Sequence, residues 1–373
     1  MSLTFLAGQR AIEGNRVALL VDGAAAFPAM LDAIARAHAS VVLESYIFAA
    51  DATGERFMAA LVERALAGVT VRLLVDGVGT MGVPGSFFAA LEHAGGQVRI
   101  FRPPRVSWSW QRLWVRDHRK LLVVDDRIAF IGGLNISDDY APTSWHGGAW
   151  HDMHASVEGP AARELTKVIN RTWRWSRRGD VPVPLGEAAP VGDTAVQILE
   201  SRLTKRHSVG RAYRQAIHHA RQSVRITNAY FIPDRGVRRA LRNACARGVR
   251  VQLLLAGRTD VRAVQFASRA LYARLLRWGV EIYDWDDRVL HAKTAVIDGA
   301  WCSIGSYNMD RRSLLHNLEA NIACVDAALA AALDRQFEAD IVRSRRIDTK
   351  TWHRRTVTEQ LLEQLFFKLR YLL

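Results

Sequence analysis

Two short motifs carry the same residue types at the same spacing. Each has a histidine, a lysine two positions later, an aspartate five positions after the lysine, and a small-residue turn that ends in asparagine. The motif residues are His118, Lys120, Asp125 and Asn135 in the first copy, and His291, Lys293, Asp298 and Asn308 in the second. One such match is common on a polar strand face, but two with identical gaps indicate a shared chemical role.

These residue types suit substitution at the phosphorus of a phosphodiester. Two lysines and two asparagines supply positive charge and amide donors for the non-bridging oxygens. One imidazole can attack phosphorus while the other protonates the leaving oxygen, and an incoming hydroxyl can then reverse the first step. Such two-sided chemistry explains why one chain carries the motif twice.

Each motif is predicted to lie on a β-hairpin. Histidine and lysine at i and i+2 project from the same side of a strand. A short apolar run follows each lysine, the aspartate stands at a turn, and a second apolar run returns. The predicted strand pairs are residues 121–124 with 128–131, and 294–297 with 301–304. Histidine, lysine and asparagine should therefore meet at one end of each hairpin.

The twin motifs resemble the HKD signature of the phospholipase D superfamily, in which two copies form one active site. Further segments resemble bacterial cardiolipin synthases, and they are closest to the type without amino-terminal membrane spans. Those segments are residues 43–48, 150–154, 157–160, 228–231 and 316–321. The resemblance covers nearly the whole chain.

The resemblance implies a transphosphatidylase that joins two phosphatidylglycerols through a phosphohistidine and releases glycerol. It implies that His118 is the nucleophile and that His291 is the general acid, then base. The implied catalytic residues are His118, Lys120, Asp125, His291, Lys293 and Asp298, and the implied phosphate-binding residues are Asn135, Asn308 and Ser306. In the family an acidic residue downstream of each motif orients the histidine. Asp152 and Glu319, 34 and 28 residues after the histidines of their own halves, fit this role.

Two motif positions need a separate interpretation. Asp125 and Asp298 belong to the signature, but we interpret them as structural anchors of the hairpin turns. Gly133 stands where the second copy has Ser306, a departure that could remove one phosphate contact.

Other kinds of site fit the sequence less well. His146, His151, Asp152 and His154 crowd nine positions, but the spacing matches no strong zinc pattern and no cysteine is near. Residues 77–79 lack the third glycine of a dinucleotide-binding loop. We therefore expect no metal and no cofactor. Tyr46 and Tyr230 are interpreted as packing aromatics.

The order of elements predicts an α/β fold of two similar phospholipase D-like halves. Each half should contain a mixed β-sheet flanked by helices, with the active site at their interface. A strand is predicted over residues 41–48, and helices over 27–38, 55–67 and 237–247. Residues 33–48 match 216–231, and 68–74 match 248–254. The predicted boundaries are 1–178 for the first domain, 179–193 for a linker, 194–345 for the second domain and 346–373 for an amphipathic tail.

Composition restricts the partners and the compartment. The formal net charge of +14 favours polyanions, and charge alone does not separate nucleic acid from anionic lipid. Three unpaired cysteines indicate a reducing compartment. Residues 1–16 contain no long apolar core, and no stretch is long enough to span a membrane. We expect a cytoplasmic protein, peripherally associated with the inner membrane, that uses phosphatidylglycerol on an anionic phospholipid surface.

Two segments are candidates for membrane contact. Trp108, Trp110 and Trp114, interleaved with arginines just before the first motif, suit the headgroup layer, although a buried tryptophan cluster is the alternative. A helix near the C-terminus has one apolar face, consisting of Val357, Leu361, Leu362, Leu365, Phe366 and Leu369. This face either docks on the protein itself or lies in a membrane interface.

Three other functions remain as alternatives. A nuclease of the same superfamily would explain the charge, but its members often carry one motif per chain, so nucleic acid is not the favoured partner. A phospholipase D-type phosphodiesterase would use water in place of the acceptor alcohol. A catalytically idle lipid-binding module does not explain two complete sets of histidine, lysine and asparagine. The acceptor and the oligomeric state stay open.

Overall fold

The computed structural model describes residues 10–104, 114–176, 182–201, 208–352 and 354–371. Among the described residues, its first half, up to residue 176, contains seven strands, the four α-helices given below, and two single-turn 3-10 helices at Asp138–Tyr140 and Thr143–Trp145. The strands are β1 (Ile12–Val21), β2 (Ser40–Ser45), β3 (Thr70–Asp76), β4 (Gln97–Phe101), β5 (Lys120–Val124), β6 (Ile128–Gly132) and β7 (Met153–Glu158). The helices are α1 (Asp22–Ala35), α2 (Ala52–Leu66), α3 (Gly85–His93) and α4 (Pro160–Ser176).

The second half repeats this order and adds short elements at its end. Its strands are β8 (Thr194–Ser201), β9 (Ser223–Asn228), β10 (Arg250–Ala256), β11 (Glu281–Trp285), β12 (Lys293–Ile297), β13 (Trp301–Gly305), β14 (Glu319–Val325) and β15 (Arg345–Arg346). Its helices are α5 (Ser208–His219), α6 (Arg235–Ala246), α7 (Arg262–Arg269), α8 (Tyr272–Arg277), α9 (Arg311–Leu315), α10 (Ala327–Val342), α11 (Thr349–Trp352) and α12 (Val357–Leu369).

The strands of the two halves occupy equivalent places in one mixed sheet. The strand order is β15-β11-β10-β9-β12-β13-β14-β8-β1-β7-β6-β5-β2-β3-β4. Strands β2, β3 and β4 are parallel, as are β9, β10 and β11, and the motif hairpins β5–β6 and β12–β13 pair antiparallel beside them. The antiparallel pair β1–β8 joins the two halves. The predicted α/β architecture of two similar halves is confirmed.

The two halves pack on each other through the faces of their sheets. One buried apolar cluster combines residues of β5, β6 and β7 with residues of β12, β13 and β14, and it also contains the inner faces of α4 and α10. A second cluster lies under α1, α2 and α3, and a third lies under α5, α6 and α8. The strands of each half therefore have helices on one face, and on the opposite face they pack against the other half together with α4 and α10.

The local predictions agree closely with these elements. Both hairpins form, each starting at the motif lysine. The first predicted strand ends at Ser45 instead of Phe48, because Phe48 leaves the sheet to bridge with Ile136. The first predicted helix begins earlier, at Asp22.

The motif ends of the two hairpins lie at equivalent edges of the sheet. Lys120 pairs with Ser45, the last residue of β2, and Lys293 pairs with Asn228, the last residue of β9. These positions are the carboxyl ends of parallel strands, next to the point where strand direction changes. Ligands bind at such points in open α/β sheets.

The segment between the halves and the end of the chain are both attached to the fold. Residues 182–193 contain no helix or strand, and Asn170 exchanges two side-chain hydrogen bonds with the backbone of Val183. Helix α12 packs on α7. In the described part of the chain no helix is both long and apolar enough to cross a bilayer. The domain boundaries given above stay a prediction.

Candidate active site

Two short backbone bridges between the halves set the geometry of the site. The amide of His118 donates to the carbonyl of Leu318 (3.0 Å), and the amide of His291 donates to the carbonyl of His151 (2.7 Å). Each motif histidine therefore lies beside the residue that precedes an acidic residue of the other half. Both carboxylates implied by the resemblance lie next to a motif histidine. Each of them, however, contacts the histidine of the other half and not that of its own half.

Glu319 holds the imidazole of His118. The Nδ1 atom lies 3.1 Å from both carboxylate oxygens. Three further side chains donate to the same carboxylate: Ser313 Oγ at 2.7 Å, Asn317 Nδ2 at 3.2 Å, and Ser306 Oγ. Burial alone would raise the pKa of Glu319, but His118, Lys120 and Ser306 together lower it. Glu319 is therefore an ionised acceptor for the Nδ1 proton.

Asp152 holds the imidazole of His291 at a shorter distance than Glu319 holds that of His118. Its Oδ2 lies 2.7 Å from Nδ1 of His291, and its Oδ1 accepts the amide of Met153 at 2.7 Å. A Cβ atom on Gly133 would lie 2.2 Å from Oδ1. The missing side chain at position 133 thus makes room for Asp152, which gives the departure from Ser306 a packing reason. Burial raises the pKa of Asp152, but Lys293 and His291 lower it overall.

Both imidazoles are neutral, and each has one ring nitrogen that is not held by a carboxylate. Burial, together with the motif lysines, lowers the pKa of His118 to about 4 and also lowers the pKa of His291. With Nδ1 donating to a carboxylate, Nε2 carries the free lone pair. Among the described residues neither Nε2 has a hydrogen-bond partner. Each ring can therefore attack phosphorus or exchange a proton.

The two lysines form a buried cationic centre. Lys120 Nζ donates to the carbonyl of His118 at 2.6 Å, and Lys293 makes the equivalent contact with His291. Both side chains are at most 2% exposed. Burial lowers the pKa of Lys120 to about 7 and that of Lys293 to about 8. Each ammonium keeps donors for an anion, and an anion would favour its charged form.

The predicted phosphate-binding residues have different surroundings. Asn135 accepts the amide of Ile47 (3.1 Å) and donates to the Tyr140 hydroxyl (2.7 Å), so protein groups satisfy its amide. The Oδ1 position of Asn308 is buried and has no partner in the described part of the chain. The side-chain amide can place either its oxygen or its nitrogen there, and either atom could form a hydrogen bond with substrate. The phosphate-binding role of all three residues, including Ser306, stays a prediction.

Asp125 and Asp298 lie at the far ends of the motif strands. Asp125 accepts the amides of Ala39 and Ser40, each at 2.7 Å. Asp298 makes the same kind of contacts with Gln222 and Ser223. Each lies seven positions after its histidine, which is about 23 Å at a strand rise of ~3.3 Å. These contacts favour the interpretation that both are structural.

Aromatic rings enclose the two histidines unequally. Tyr46 lies edge-on to His118, with ring centroids 5.1 Å apart. His291 has three aromatic neighbours, and the distances are 5.3 Å to Tyr140, 5.9 Å to Trp150 and 6.4 Å to Tyr230. The sequence interpretation assigned Tyr46 and Tyr230 to packing alone. Tyr46 and Tyr230 follow the carboxyl ends of β2 and β9, and this position in the sequence could have indicated that they lie at the site.

A buried ionic network is centred on Arg119, which lies between His118 and Lys120 of the first motif. Arg119, between the two motif residues, donates to Glu200 (2.8 Å) and Thr172 (2.7 Å) and forms an ion pair with Glu44 (3.6 Å). Burial and the adjacent Glu44 raise the pKa of Asp117 well above its ordinary value. Glu200 belongs to the other half, so the network ties the halves together behind His118.

His151 forms a second ionic connection between the halves. Its ring lies between Asp22 (2.8 Å) and Asp340 (3.0 Å) and stacks on Trp285. Although burial lowers it, the two carboxylates raise the pKa of His151 to about 9. Asp152 contacts His291. Of the four residues considered as a metal site, His151 and Asp152 thus use their side chains in hydrogen bonds, whereas both ring nitrogens of His154 are buried without a partner in the described part of the chain. No group of three or more potential metal ligands converges in the described ranges.

The predicted membrane-contact residues are only partly covered by the structure. Trp108 and Trp110 lie outside the described residues. Trp114 is half-buried, and its ring centroid lies 5.6 Å from that of His316. His316 is next to Asn317, which donates to Glu319. The end of the tryptophan segment is therefore close to the His118 side of the site.

Comparison with known proteins identifies relatives of this chain over most of its length. The family model described as cardiolipin synthase, PLD-like domain, matches residues 30–173 and 213–341. Cardiolipin synthase A of Pseudomonas fluorescens is 36% identical over 90% of this chain and 70% of its own length. Cardiolipin synthase B of Salmonella typhi is 33% identical over 92% of this chain and 85% of its own. The crystal structure of phosphatidylserine synthase from Haemophilus influenzae superimposes with a TM-score of 0.76 over 98% of this chain and 96% of its own, at 12% identity, which supports the fold alone.

Proposed function

Because the chain belongs to the cardiolipin synthase family of phospholipase D-like proteins, we propose that it is a phosphatidyltransferase that makes cardiolipin. It transfers the phosphatidyl group of one phosphatidylglycerol to a hydroxyl of a second and releases glycerol. The observation that best supports this function is that each half supplies the carboxylate for the histidine of the other half. Two neutral imidazoles, each held at Nδ1 by a carboxylate of the other half, share one buried centre with two lysines.

In the first step Nε2 of His118 attacks phosphorus. A phosphorus–nitrogen bond forms, the bond from phosphorus to the glycerol oxygen breaks, and His291 gives its Nε2 proton to that oxygen. Before substrate binds, His291 is neutral, because burial and Lys293 lower its pKa. A bound phosphodiester offsets the lysine charge and raises this pKa, so substrate binding itself creates the general acid.

In the second step the reaction runs in the opposite sense. The hydroxyl of the second phosphatidylglycerol gives its proton to Nε2 of His291 and attacks phosphorus, and the phosphorus–nitrogen bond breaks. Lys120 and Lys293 hold the non-bridging oxygens in both steps. Their charge is strongest in this water-poor centre, where negative charge accumulates as the fifth ligand enters.

The surroundings of His291 favour an alcohol over water as the acceptor. The rings of Tyr140, Trp150 and Tyr230 enclose this imidazole, whereas Tyr46 alone contacts His118 among the described aromatic residues. Apolar ring faces around the proton-transfer group lower the local concentration of water. Transfer to the hydroxyl of a second lipid is therefore favoured over hydrolysis.

The substrate places the reaction at a membrane surface, so we propose that the protein works as a peripheral protein on the inner membrane. A net charge of +14 draws the chain to anionic leaflets, by about 1 kcal/mol for each well-placed basic residue. Trp108, Trp110 and Trp114 would then fix the depth of the site in the headgroup layer. Changing the three tryptophans together to Ala should weaken binding to anionic vesicles and spare turnover of short-chain monomeric lipid.

The decisive test is product analysis. Purified protein is incubated with phosphatidylglycerol that carries one label in its acyl chains and another in its terminal glycerol, and all products are resolved. We expect labelled cardiolipin and free glycerol in equal amounts. Phosphatidic acid as the main lipid product would identify a phospholipase D-type hydrolase. Cleavage of single-stranded or double-stranded nucleic acid with no change in the lipid would identify a nuclease.

A further inference from the structure

Helix α12 is docked on the protein, yet it leaves a continuous apolar stripe in solvent. Val357, Leu361, Leu365 and Leu369 are 73%, 65%, 51% and 40% exposed. Their spacing of four residues places them on one side of the helix, over about 18 Å at ~1.5 Å per residue. We call these four side chains the α12 stripe.

The docked face of the same helix accounts for its position. Phe366 stacks on Phe266 of α7 with ring centroids 5.7 Å apart, and Phe366 and Phe367 pack on the cluster around Ile232. Glu363 is buried against Arg355, and a capping box of Thr356 and Glu359 begins the helix. The single apolar face expected from the sequence is thus divided. Leu362 and Phe366 turn towards the protein, and the α12 stripe turns away from it.

The α12 stripe lies on the active-site side of the molecule. Helix α7 follows the carboxyl end of β10, at the edge where the motif histidines lie. Tyr230 links the two regions, because it packs against the same cluster around Ile232 as Phe366 and Phe367, and its ring centroid lies 6.4 Å from that of His291. At the other end of the helix, the Tyr371 ring lies under the guanidinium of Arg311, which follows the second motif (4.2 Å).

A group of arginines lies next to this helix. Arg235 and Arg238 begin α6, Arg274 lies in α8, and Arg370 follows α12. Burial and the charges of Arg274, Arg370 and Arg235 lower the pKa of Arg238, so these cations are close enough to repel one another. Arg235 and Arg274 are exposed. Exposed leucines beside clustered arginines are the combination that binds anionic lipid surfaces.

We propose that the α12 stripe and this arginine group form a membrane-docking surface, on which the leucines insert among the acyl chains of an anionic leaflet and the arginines contact its phosphates. This surface rests on the proposed function, because it brings the His291 side of the site to the depth of a lipid headgroup. It is independent of the tryptophan segment before the first motif. Together the two would hold both halves of the site against the bilayer.

The test compares vesicle binding by matched variants of the full chain. In Leu361→Gln/Leu365→Gln the charge is unchanged and the side chains keep helix-compatible geometry. We expect this double variant to bind phosphatidylglycerol-containing vesicles at least ~10-fold more weakly. Leu66→Gln is the control, because Leu66 is 73% exposed but lies before β3, at the opposite edge of the sheet. It should bind like the wild type.

A second pair of variants separates the two parts of the surface. Arg235→Gln/Arg274→Gln should weaken binding to vesicles that contain phosphatidylglycerol and leave the weak binding to pure phosphatidylcholine vesicles unchanged. Turnover of short-chain monomeric phosphatidylglycerol should be normal in both double variants. Normal turnover would also demonstrate that the site is folded.

Each outcome decides the proposal without reference to the reaction product. Unchanged vesicle binding by Leu361→Gln/Leu365→Gln would overturn the surface, and the phosphatidyltransferase function would stand if cardiolipin were still made. A change in molecular mass by light scattering, without a change in vesicle binding, would instead assign the α12 stripe to contact with a second copy of the chain. Weakened vesicle binding in a protein that makes no cardiolipin would support the surface and refute the function.

Discussion

The two half-sites hold their imidazoles by different means. Behind His118, the carboxylate of Glu319 receives donors from three side chains, those of Ser306, Ser313 and Asn317. Behind His291, the shorter Asp152 receives the amide of Met153 and fits only because position 133 has no side chain. Two copies of one motif have thus reached the same Nδ1 contact with a long, well-anchored carboxylate on one side and a short, closely packed one on the other.

The motif residues are thus equivalent, but the groups that hold their carboxylates are not. The nucleophile must keep its orientation while a covalent bond forms and breaks, and the His118 side has the more extensive set of donors. The general acid must gain and lose a proton, and the His291 side has the closer contact, 2.7 Å, to a carboxylate that stabilises an imidazolium. These two kinds of support favour the roles that the resemblance implies, and the roles stay a prediction.

Removing the histidines should have the largest effect and should separate the two roles. His118→Ala should lower phosphatidylglycerol turnover by about 10⁴-fold or more, because it removes the nucleophile. His291→Ala should cost about 10²–10⁴-fold with a natural lipid. It should cost much less with a p-nitrophenyl phosphodiester, whose leaving group needs no proton. If the p-nitrophenyl substrate rescued His118→Ala instead, the roles would be reversed.

Replacing the carboxylates tests the exchanged pairing. Glu319→Gln and Asp152→Asn should each lower turnover by about 10²–10⁴-fold, since each loses the group that fixes one imidazole tautomer. With the p-nitrophenyl substrate, Asp152→Asn should be partly rescued, as His291→Ala is, whereas Glu319→Gln should not. Rescue of Glu319→Gln alone would mean that each carboxylate serves the histidine of its own half.

Exchanging the small residues behind the carboxylates sharpens the same comparison. Gly133→Ser should lower turnover by about 10–10²-fold and destabilise the protein by about 1–3 kcal/mol, because the added Cβ displaces Asp152. Ser306→Gly should cost less than about 10-fold, because Ser313 and Asn317 still hold Glu319. Turnover and thermal unfolding of the two variants give the answer. Equal effects would show that the two supports do not differ.

The pH profile reports the charges at the shared centre. The value of kcat/KM for monomeric lipid should fall as pH drops through about 4, where His118 gains a proton. It should also fall as pH rises above the lowered pKa of His291, because the free enzyme then lacks the proton that this general acid gives to the leaving oxygen. The fall should become steeper through about 7 to 8, where Lys120 and then Lys293 lose their protons. Because Lys293 lowers the pKa of Lys120, Lys293→Met should move the remaining basic limb to higher pH. If the pH at which kcat/KM falls were the same in Lys293→Met as in the wild type, the two ammonium groups would not interact.

The smallest expected effect is on stability, through His151. The pKa of this histidine is raised to about 9 in the fold, so its contribution is complete below about pH 6.5 and is lost as pH rises through about 9. We expect a loss of about 1–3 kcal/mol across that interval. Asp340→Asn should flatten this part of the stability curve, measured by denaturant unfolding at several pH values. If the free energy of unfolding of Asp340→Asn depended on pH as in the wild type, the contact between Asp340 and His151 would not contribute to stability.

Local sequence patterns were sufficient for the hairpins and for the motif side chains that meet in the site. Alternating burial and constant gaps specify which face of β5 or β12 a residue occupies, and the paired apolar runs specify the turns. The repeat also predicted two similar halves, because equivalent segments recur in the same order.

The exchanged carboxylates could not be predicted, because they depend on contacts between distant residues. Glu319 reaches His118 across 201 positions through the bridge between Asp117 and Leu318, and no local pattern encodes that bridge. Similarly, helical periodicity placed Leu361 and Leu362 on one apolar face. It could not decide which of them turns towards α7, since that depends on the surface of the partner helix.

Identification of the covalent adduct tests the central claim most directly. Wild-type protein is mixed with phosphatidylglycerol labelled in the phosphatidyl group, quenched in alkali to preserve phosphohistidine, digested and mapped by mass spectrometry. The two half-sites predict label on the peptide that contains His118, none on the peptide that contains His291, and much less label on His118 in Glu319→Gln at the same quench time. Label on His291, or label on His118 that is undiminished in Glu319→Gln, would contradict the account.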